Sequence, residues 1–325
     1  MFDFNKFEET ILGCSNVIIT AHKNLDLDAF GALLSMYFIC EKMNKKVSIL
    51  IDDIEFESGV EIALKKIVNL NYKVDIEDYK NILNYLDKDS LLILLDTNKK
   101  TMSQNEKVFE AVKKVMVIDH HIKEEDYNII SIYEYINYKS SSTCEIILDI
   151  IKRFNVVIPE YVATVMLAGI IIDTNNFYLK TTKNTYYCAG YLKELGADIT
   201  EMQYLLKQDF NDYVDRQKVI ENTRFINSNV AISVGEENKI YENEEIAKMA
   251  DSILLFKNVE ASFVIGKLDS NRIGISARSL GKINVQEVME KLGGGGHLTD
   301  AATQIDSNNL NEVKENLLNL LKSIV

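Results

Sequence analysis

Long apolar runs are missing from this sequence. The longest apolar stretch, 162–172, has 11 residues, well short of the roughly 20 that span a bilayer, so no transmembrane helix is expected. The opening Met1-Phe-Asp-Phe-Asn-Lys lacks the basic then apolar start of a signal peptide, and a cytoplasmic location is the expectation. Cysteine is scarce. Cys14, Cys40, Cys144 and Cys188 stand far apart with no CxxC pair, which argues against a zinc knuckle or a redox motif and predicts buried free thiols. Proline occurs once, at Pro159, where a helix should start. Basic residues are outnumbered, 36 Lys and Arg against 49 Asp and Glu, for a net charge of -13, and neither half of the chain is basic. That excludes long nucleic acids as partners, because their binding relies on neutralising many phosphates. A small anionic ligand stays compatible if metal ions reverse the local field.

What is present describes a soluble globule, with 47% hydrophobic and 26% charged residues. Its 325 residues suffice for two domains, each with its own core. Through the first half, apolar runs of strand length at 17–20, 47–51, 91–95, 115–118 and 129–132 alternate with helical patterns such as 29–43 and 106–113. Continuous apolar strands with helices between them imply an α/β fold whose parallel, five-stranded sheet is covered on both faces. Ligands in such sheets bind beyond the carboxyl ends of the strands.

Helical patterns dominate from Ser142 to about Ile226. A second alternation then begins, with strands at 229–234, 261–266 and 272–277 and helices at 285–292 and 310–323. The expected organisation is a catalytic domain over 1–190, a helical connector over 191–227 and a smaller α/β domain with a mixed sheet over 228–325. The connector region holds no Pro, Gly or Ser tract of a flexible linker.

Only four histidines occur, and they fall beside carboxylates or glycines. His22 follows the first apolar run and opens His22-Lys-Asn-Leu-Asp26-Leu-Asp28. Asp96 follows 91–95, Asp119-His120-His121 follows 115–118, and Asp173 ends a helical pattern. Each alone has a bland explanation: Asp28 can cap the helix that starts at Ala29, and Asp96-Thr-Asn is a common turn. Together, His22, Asp26, Asp28, Asp96, His120 and Asp173 offer four carboxylates and two imidazoles, a donor set suited to two divalent first-row ions, Mn²⁺ before zinc. Two metals about 4 Å apart can hold a bridging hydroxide and polarise a phosphoryl oxygen, the arrangement of phosphoester hydrolysis; Asp96 is the carboxylate chosen to bridge.

Three further features have both a structural and a functional reading. Gly293 to Gly296, ahead of His297, either stop a helix or let backbone amides cradle a phosphate or base. Arg278, next to Ser279, either makes a surface ion pair or offers its guanidinium fork to a phosphate. Ser140 to Thr143 read as an N-cap cluster whose helix start can also receive phosphate.

Six ordered motifs, AHKNLDLDAFG (21–31), LLDTN (94–98), VIDHH (117–121), SSSTCE (140–145), GIIIDTNNF (169–177) and GGGGHLTDAA (293–302), resemble those of the DHH/DHHA1 phosphoesterases over nearly the whole chain. The resemblance implies a DHH domain, a smaller DHHA1 domain that binds the substrate, and a cleft between them holding two Mn²⁺ or other divalent ions. It assigns His22, Asp26 and Asp96 to one ion and Asp28, Asp96, His120 and Asp173 to the other. It sets His121 beside the scissile phosphate with Asp119 behind the cluster, so His121, Asp96 and Asp119 form the catalytic set. Arg278, Ser279, Gly294, Gly295, Gly296 and His297 are expected at the nucleotide, with Ser142 and Thr143. The first motif departs from the family in having Leu25 where proline is frequent, which is not a ligand position.

Within the family, 259–304 looks most like the cyclic-di-AMP phosphodiesterases of the GdpP type. The membrane segments, PAS domain and degenerate GGDEF domain of that type have no counterpart in this sequence, which leaves a stand-alone relative and an excised catalytic region both open. The expected reaction is opening of cyclic-di-AMP to pApA by metal-bound hydroxide, with onward cleavage to AMP also open. The alternative is a nanoRNase and pAp phosphatase acting on short RNA and 3′,5′-bisphosphonucleotides. The family likeness implies a homodimer, which no motif here carries.

Overall fold

A computed structural model describes residues 2–52, 56–123 and 127–324. The chain divides into two compact units, Met1–Lys207 and Gln208–Val325. The first opens with α1 (Phe4–Leu12), β1 (Asn16–Thr20), α2 (Leu27–Lys42), β2 (Lys46–Leu50), α3 (Ser58–Asn69), β3 (Ile76–Glu77), α4 (Tyr79–Leu83), β4 (Leu91–Leu95), α5 (Val108–Ala111), β5 (Lys114–Asp119) and β6 (Tyr133–Ile136). It closes with four helices, α6 (Thr143–Phe154), α7 (Glu160–Asp173), α8 (Lys183–Glu194) and α9 (Ile199–Leu205).

Its sheet is parallel throughout, in the order β3-β2-β1-β4-β5-β6. It has six strands where the sequence predicted five. Two residues of β3 are too few to leave a periodic signal. The last strand also starts later than expected, at Tyr133 rather than Ile129. Ile129 packs into the core, but Ile130 is 89% exposed, and the pairing with β5 begins only where Ile132 N–H reaches Val115 O. The helix expected over 106–113 shrinks to the single turn α5.

Strand alternation feeds two separate cores. Val17, Ile19, Leu91, Ile93, Leu95, Met116 and Ile118 face the helices α2, α6 and α7, while Ile18, Leu92, Leu94, Val115 and Val117 pack with Ile82, Val108 and Val112 on the opposite face. Burial of both faces is why β1 and β4 carry no polar alternation.

Helix α2 is enclosed on nearly every side, and glycines make that approach achievable. A Cβ on Gly169 of α7 would lie 2.6 Å from Asp28 Cα, and one on Gly31 of α2 would lie 2.9 Å from Cys144 Sγ and 3.1 Å from Met166 Cα. The α2 and α7 backbones are therefore in contact at the level of Asp28.

The second unit contains α10 (Phe210–Glu221), β7 (Arg224–Ile226), β8 (Val230–Val234), α11 (Asn243–Leu254), β9 (Ala261–Lys267), β10 (Arg272–Ser279), α12 (Val285–Glu290), β11 (Gly295–Gly296), β12 (Asp300–Asp306) and α13 (Leu310–Ile324). Its sheet runs β11-β12-β10-β9-β8-β7, with β8 and β9 parallel and the other neighbours antiparallel. α10 and α11 cover one face, and α12 and α13 the other. The 191–227 segment is shared out: α9 packs on α3 and α7, and α10 packs on α11 and β8. All four cysteines are free and buried, as their spacing predicted. Among the described residues no helix is long and apolar enough to cross a membrane.

Candidate metal centre

The strand order reverses between β1 and β4, whose neighbours on the far sides lead away in opposite directions. A crevice outside the carboxyl ends of the strands at such a point is where open α/β sheets bind ligands. His22 lies two residues beyond β1, Asp96 directly beyond β4, and His120 directly beyond β5. Asp26 and Asp28 enter from the start of α2 and Asp173 from the end of α7.

Three groups of potential ligand atoms converge here: His22, Asp26 and Asp96; Asp28, His120 and Asp173; and Asp96, His120 and His121. His22 Nε2 is 3.7 Å from Asp26 Oδ2 and 3.4 Å from Asp96 Oδ2. His120 Nε2 is 3.4 Å from Asp96 Oδ1 and 3.1 Å from Asp173 Oδ2. The two oxygens of Asp96 thus face two different imidazoles, the position a bridging carboxylate needs.

The residues fit divalent ions. His120 Nε2 is buried without a hydrogen-bond partner, close to two carboxylates and aligned for a hydrogen bond with neither. Buried polar atoms are seldom left in that condition, and a cation among mixed oxygen and nitrogen donors supplies the missing partner.

Local structure holds each group in place. Asp26 caps α2 by accepting Ala29 N–H at 2.9 Å. Asp96 adopts φ 55°, a left-handed conformation that short polar side chains tolerate; its N–H still reaches Ile118 O at 3.1 Å. Asp28 receives the first amides of α6, Thr143 N–H at 2.7 Å and Cys144 N–H at 2.9 Å, so both oxygens of the buried carboxyl group meet the positive helix end. Thr143 Oγ1 donates to Asp96 Oδ1 at 2.8 Å.

Ser142 and Thr143, expected at the substrate, are fully buried. Ser142 Oγ accepts Glu145 N–H as the α6 cap, and Thr143 secures two carboxylates of the cluster. Asp119 is also fully buried and belongs to none of the converging groups. Its Oδ1 accepts His121 Nδ1–H at 2.8 Å and His121 N–H at 3.1 Å, and its Oδ2 accepts Asn98 Nδ2–H at 2.6 Å. With Nδ1 engaged, half-exposed His121 presents Nε2 outward. Asn98 was missed by sequence reasoning, because an asparagine two residues after a strand carries no signal beyond a turn.

Burial and charge crowding shift the titration of His22, Asp26, Asp28, Asp96 and His120. Burial works to lower the His22 and His120 pKa values, but the carboxylates of Asp96 with Asp26, and of Asp173 with Asp96, hold both well above the ordinary imidazole value. Burial with the Asp96 and Asp173 charges pushes Asp26 up to about 7, and burial beside Asp173 and Asp96 raises Asp28 well above the carboxylate range. Asp96 goes the other way: burial would raise it, but the imidazoles hold it well below. Near neutrality His22, His120 and Asp28 are pushed toward their protonated forms, and a divalent ion must displace those protons. Affinity for a divalent ion should therefore rise with pH and weaken as pH falls through 7, about tenfold per pH unit for each proton displaced. Isothermal titration in buffers of different ionisation heat counts those protons, and an affinity flat between about pH 6 and pH 8 would contradict this account.

The residues expected at the nucleotide lie in the second unit. Arg278 on β10 bonds through Nε to Asp251 Oδ1 at 2.8 Å and through Nη1 to Ser276 Oγ at 3.1 Å and Ala277 O at 3.0 Å. Its fork is thus partly taken by the protein. Ser279 is buried, its Oγ donating to Ile283 O and accepting Gly281 N–H.

The glycine run is neither a loose stop nor an open cradle along its whole length. Gly295–Gly296 form β11 against Ala302 and Ala301 of β12. A Cβ on Gly294 would stand 2.2 Å from Ala302 O, and one on Gly296, at φ 140°, 2.4 Å from Ala301 Cα. Strand pairing at close range requires glycine at both. His297 is exposed, its N–H bonded to Asp300 O, and the register sets Asp300 opposite Arg278.

Comparison with known proteins adds to this geometry. The model of the DHH family, N-terminal domain, matches residues 16–170, and that of the DHHA1 domain matches residues 225–324. The chain is 36% identical over 320 residues to the cyclic-di-AMP phosphodiesterase GdpP of Bacillus subtilis (strain 168), covering 95% of this chain and 48% of that protein. It is 33% identical over 326 residues to the cyclic-di-AMP phosphodiesterase PdeA of Listeria monocytogenes serotype 1/2a (strain 10403S), covering 97% and 48%. The chain spans about half the length of these curated relatives. Among solved structures, an exopolyphosphatase-related protein from Bacteroides fragilis has a TM-score of 0.79 at 20% identity, covering 98% of this chain and 95% of that one, a likeness of fold.

Proposed function

We infer function from one premise: the chain belongs to the DHH/DHHA1 family. Our proposal is a metal-dependent phosphodiesterase that hydrolyses cyclic-di-AMP to pApA, with onward cleavage to AMP at the same residues. The observation that carries it is Asp96, whose two carboxylate oxygens each meet a separate imidazole at 3.4 Å. The cyclic-di-AMP activity named for relatives at 33% and 36% identity supports the choice of substrate.

In this reading His22, Asp26 and Asp96 hold one ion and Asp28, Asp96, His120 and Asp173 the other, with Mn²⁺ the ion best suited to these donors. When bound, such ions polarise the phosphoryl group and lower the pKa of water. The remaining work belongs to the chain. Asp119, steadied by Asn98, fixes the His121 ring so that Nε2 meets a phosphate oxygen. Thr143 keeps Asp96 from turning, and the first amides of α6 hold Asp28. Hydrolysis adds hydroxyl to phosphorus and a proton to the departing O3′, converting the ring to a linear dinucleotide with a terminal phosphate. Arg278 and the segment from Gly293 to His297 would contact the nucleotide. A diffusible small substrate fits both work in the cytoplasm and the acidity of the chain.

The test is incubation with Mn²⁺ and, separately, cyclic-di-AMP, pApA, pAp and a short RNA, with chromatographic separation of products. Conversion of cyclic-di-AMP to pApA is the expected result. Rapid loss of pAp with cyclic-di-AMP untouched would replace this reading with that of a nanoRNase and pAp phosphatase.

A further inference from the structure

Arg278 is held by three hydrogen bonds that use only part of its guanidinium. Nε–H goes to Asp251 Oδ1 on α11, and the two Nη1 hydrogens go to Ser276 Oγ and Ala277 O. Nη2, with two N–H groups, has no hydrogen-bond partner among the described residues, and it is not a sealed buried atom.

An ion pair built for stability alone would use the side-on fork, with Nε and Nη2 gripping both oxygens of one carboxylate. Asp251 takes Nε and leaves Nη2 out. Asp300, opposite Arg278 in the β10–β12 register, makes no ion pair with it among the described residues. The Arg278 and Asp251 side chains are only 19% and 16% exposed, so the pair is shielded enough to fix direction. Three bonds to a planar group restrict its rotation, and its one unshared nitrogen is not sealed from solvent.

We propose that Asp251 is a positioning residue for ligand binding: it locks the Arg278 guanidinium so that Nη2 alone is presented to a phosphate oxygen of the nucleotide. This rests on the phosphodiesterase reading for the identity of the ligand. It also predicts that Arg278→Lys would not preserve the contact. An ammonium offers neither the Nε–H for Asp251 nor a second nitrogen for the strand, so it loses the aim together with the contact.

A double-mutant cycle tests it, with pApA and cyclic-di-AMP as substrates. Asp251→Ala should raise KM roughly tenfold while kcat stays within about twofold, the pattern of lost binding shared by ground and transition states. Asp251→Asn should fall between, because an amide oxygen still accepts from Nε–H. Arg278→Ala should raise KM at least as much, and adding Asp251→Ala to it should do nothing more. An unchanged KM in Asp251→Ala, a loss confined to kcat, or full additivity of the two variants would overturn the proposal.

A second readout separates this inference from the activity itself. In ¹⁵N-edited spectra of the full chain, the Arg278 Nε–H should give a slowly exchanging signal that shifts on addition of AMP and is lost in Asp251→Ala. If no nucleotide is turned over, the activity reading falls by itself and this signal decides: a signal indifferent to Asp251→Ala or to AMP overturns the positioning role, and one that responds to both upholds it.

Discussion

Asp96→Asn should remove Mn²⁺-dependent turnover while leaving the protein folded. Asparagine tolerates the left-handed φ of 55° at this position and can still accept from Thr143 Oγ1, so neither the backbone nor the local packing has reason to move. What disappears is the negative charge between His22 and His120, and one of the two oxygens that face those imidazoles. Loss of several kcal/mol of charge stabilisation corresponds to a rate reduction on the order of 10³. The comparison variant is Asp96→Ala, which loses the same charge and adds backbone strain, so it should match the activity loss and also lower the melting temperature. Turnover of cyclic-di-AMP and thermal unfolding of both variants check this. An Asp96→Asn protein with undiminished kcat would remove Asp96 from the centre of the site.

The second large effect is structural in origin. Gly169→Ala adds one methyl group where it would stand 2.6 Å from Asp28 Cα, 2.9 Å from Asp28 N and 2.9 Å from Leu27 O. All three are backbone atoms and cannot swing aside, so α2 and α7 must separate. Overpacking of this kind costs about 3 kcal/mol, which for a unit of this size lowers the melting temperature by roughly 6–12 °C. Since the displaced residue is Asp28, Mn²⁺ affinity should fall in the same variant. Gly190→Ala, on α8, provides the contrast: nothing lies within 4 Å of the added carbon, and alanine in a helix interior should stabilise by about 0.5–1 kcal/mol. Equal melting temperatures for the two variants would show that the α2–α7 contact is not close-packed.

The convergence of the candidate ligands was largely legible from residue type and place, because His22, Asp96 and His120 follow apolar runs that end at one edge of a parallel sheet. Less visible was the work of residues acting through other side chains. Thr143 and Ser142 carry hydroxyls in a cap-like cluster, and nothing in the chain distinguishes a hydroxyl that meets a ligand from one that meets Asp96. Asn98 reaches Asp119 across 21 residues of sequence, a relation that only the sheet creates.

In the fold, the strands buried on both faces announced themselves. The edges did not: β3 is two residues long, and β6 lies partly exposed at the margin, where the apolar run and the hydrogen-bonded register need not coincide. The glycine run was read as a question of flexibility or ligand approach. Its strictest positions, Gly294 and Gly296, are set by the neighbouring strand.

The two amides of α6 on Asp28 bear on the order in which the protein is made and armed. A buried carboxyl group whose two oxygens already accept hydrogen bonds from the polypeptide needs no ion to satisfy them, and Thr143 Oγ1 satisfies one oxygen of Asp96 in the same way. Folding and metal loading are then separate events. Removal of a divalent ion from this site would then leave a folded chain able to take it up again.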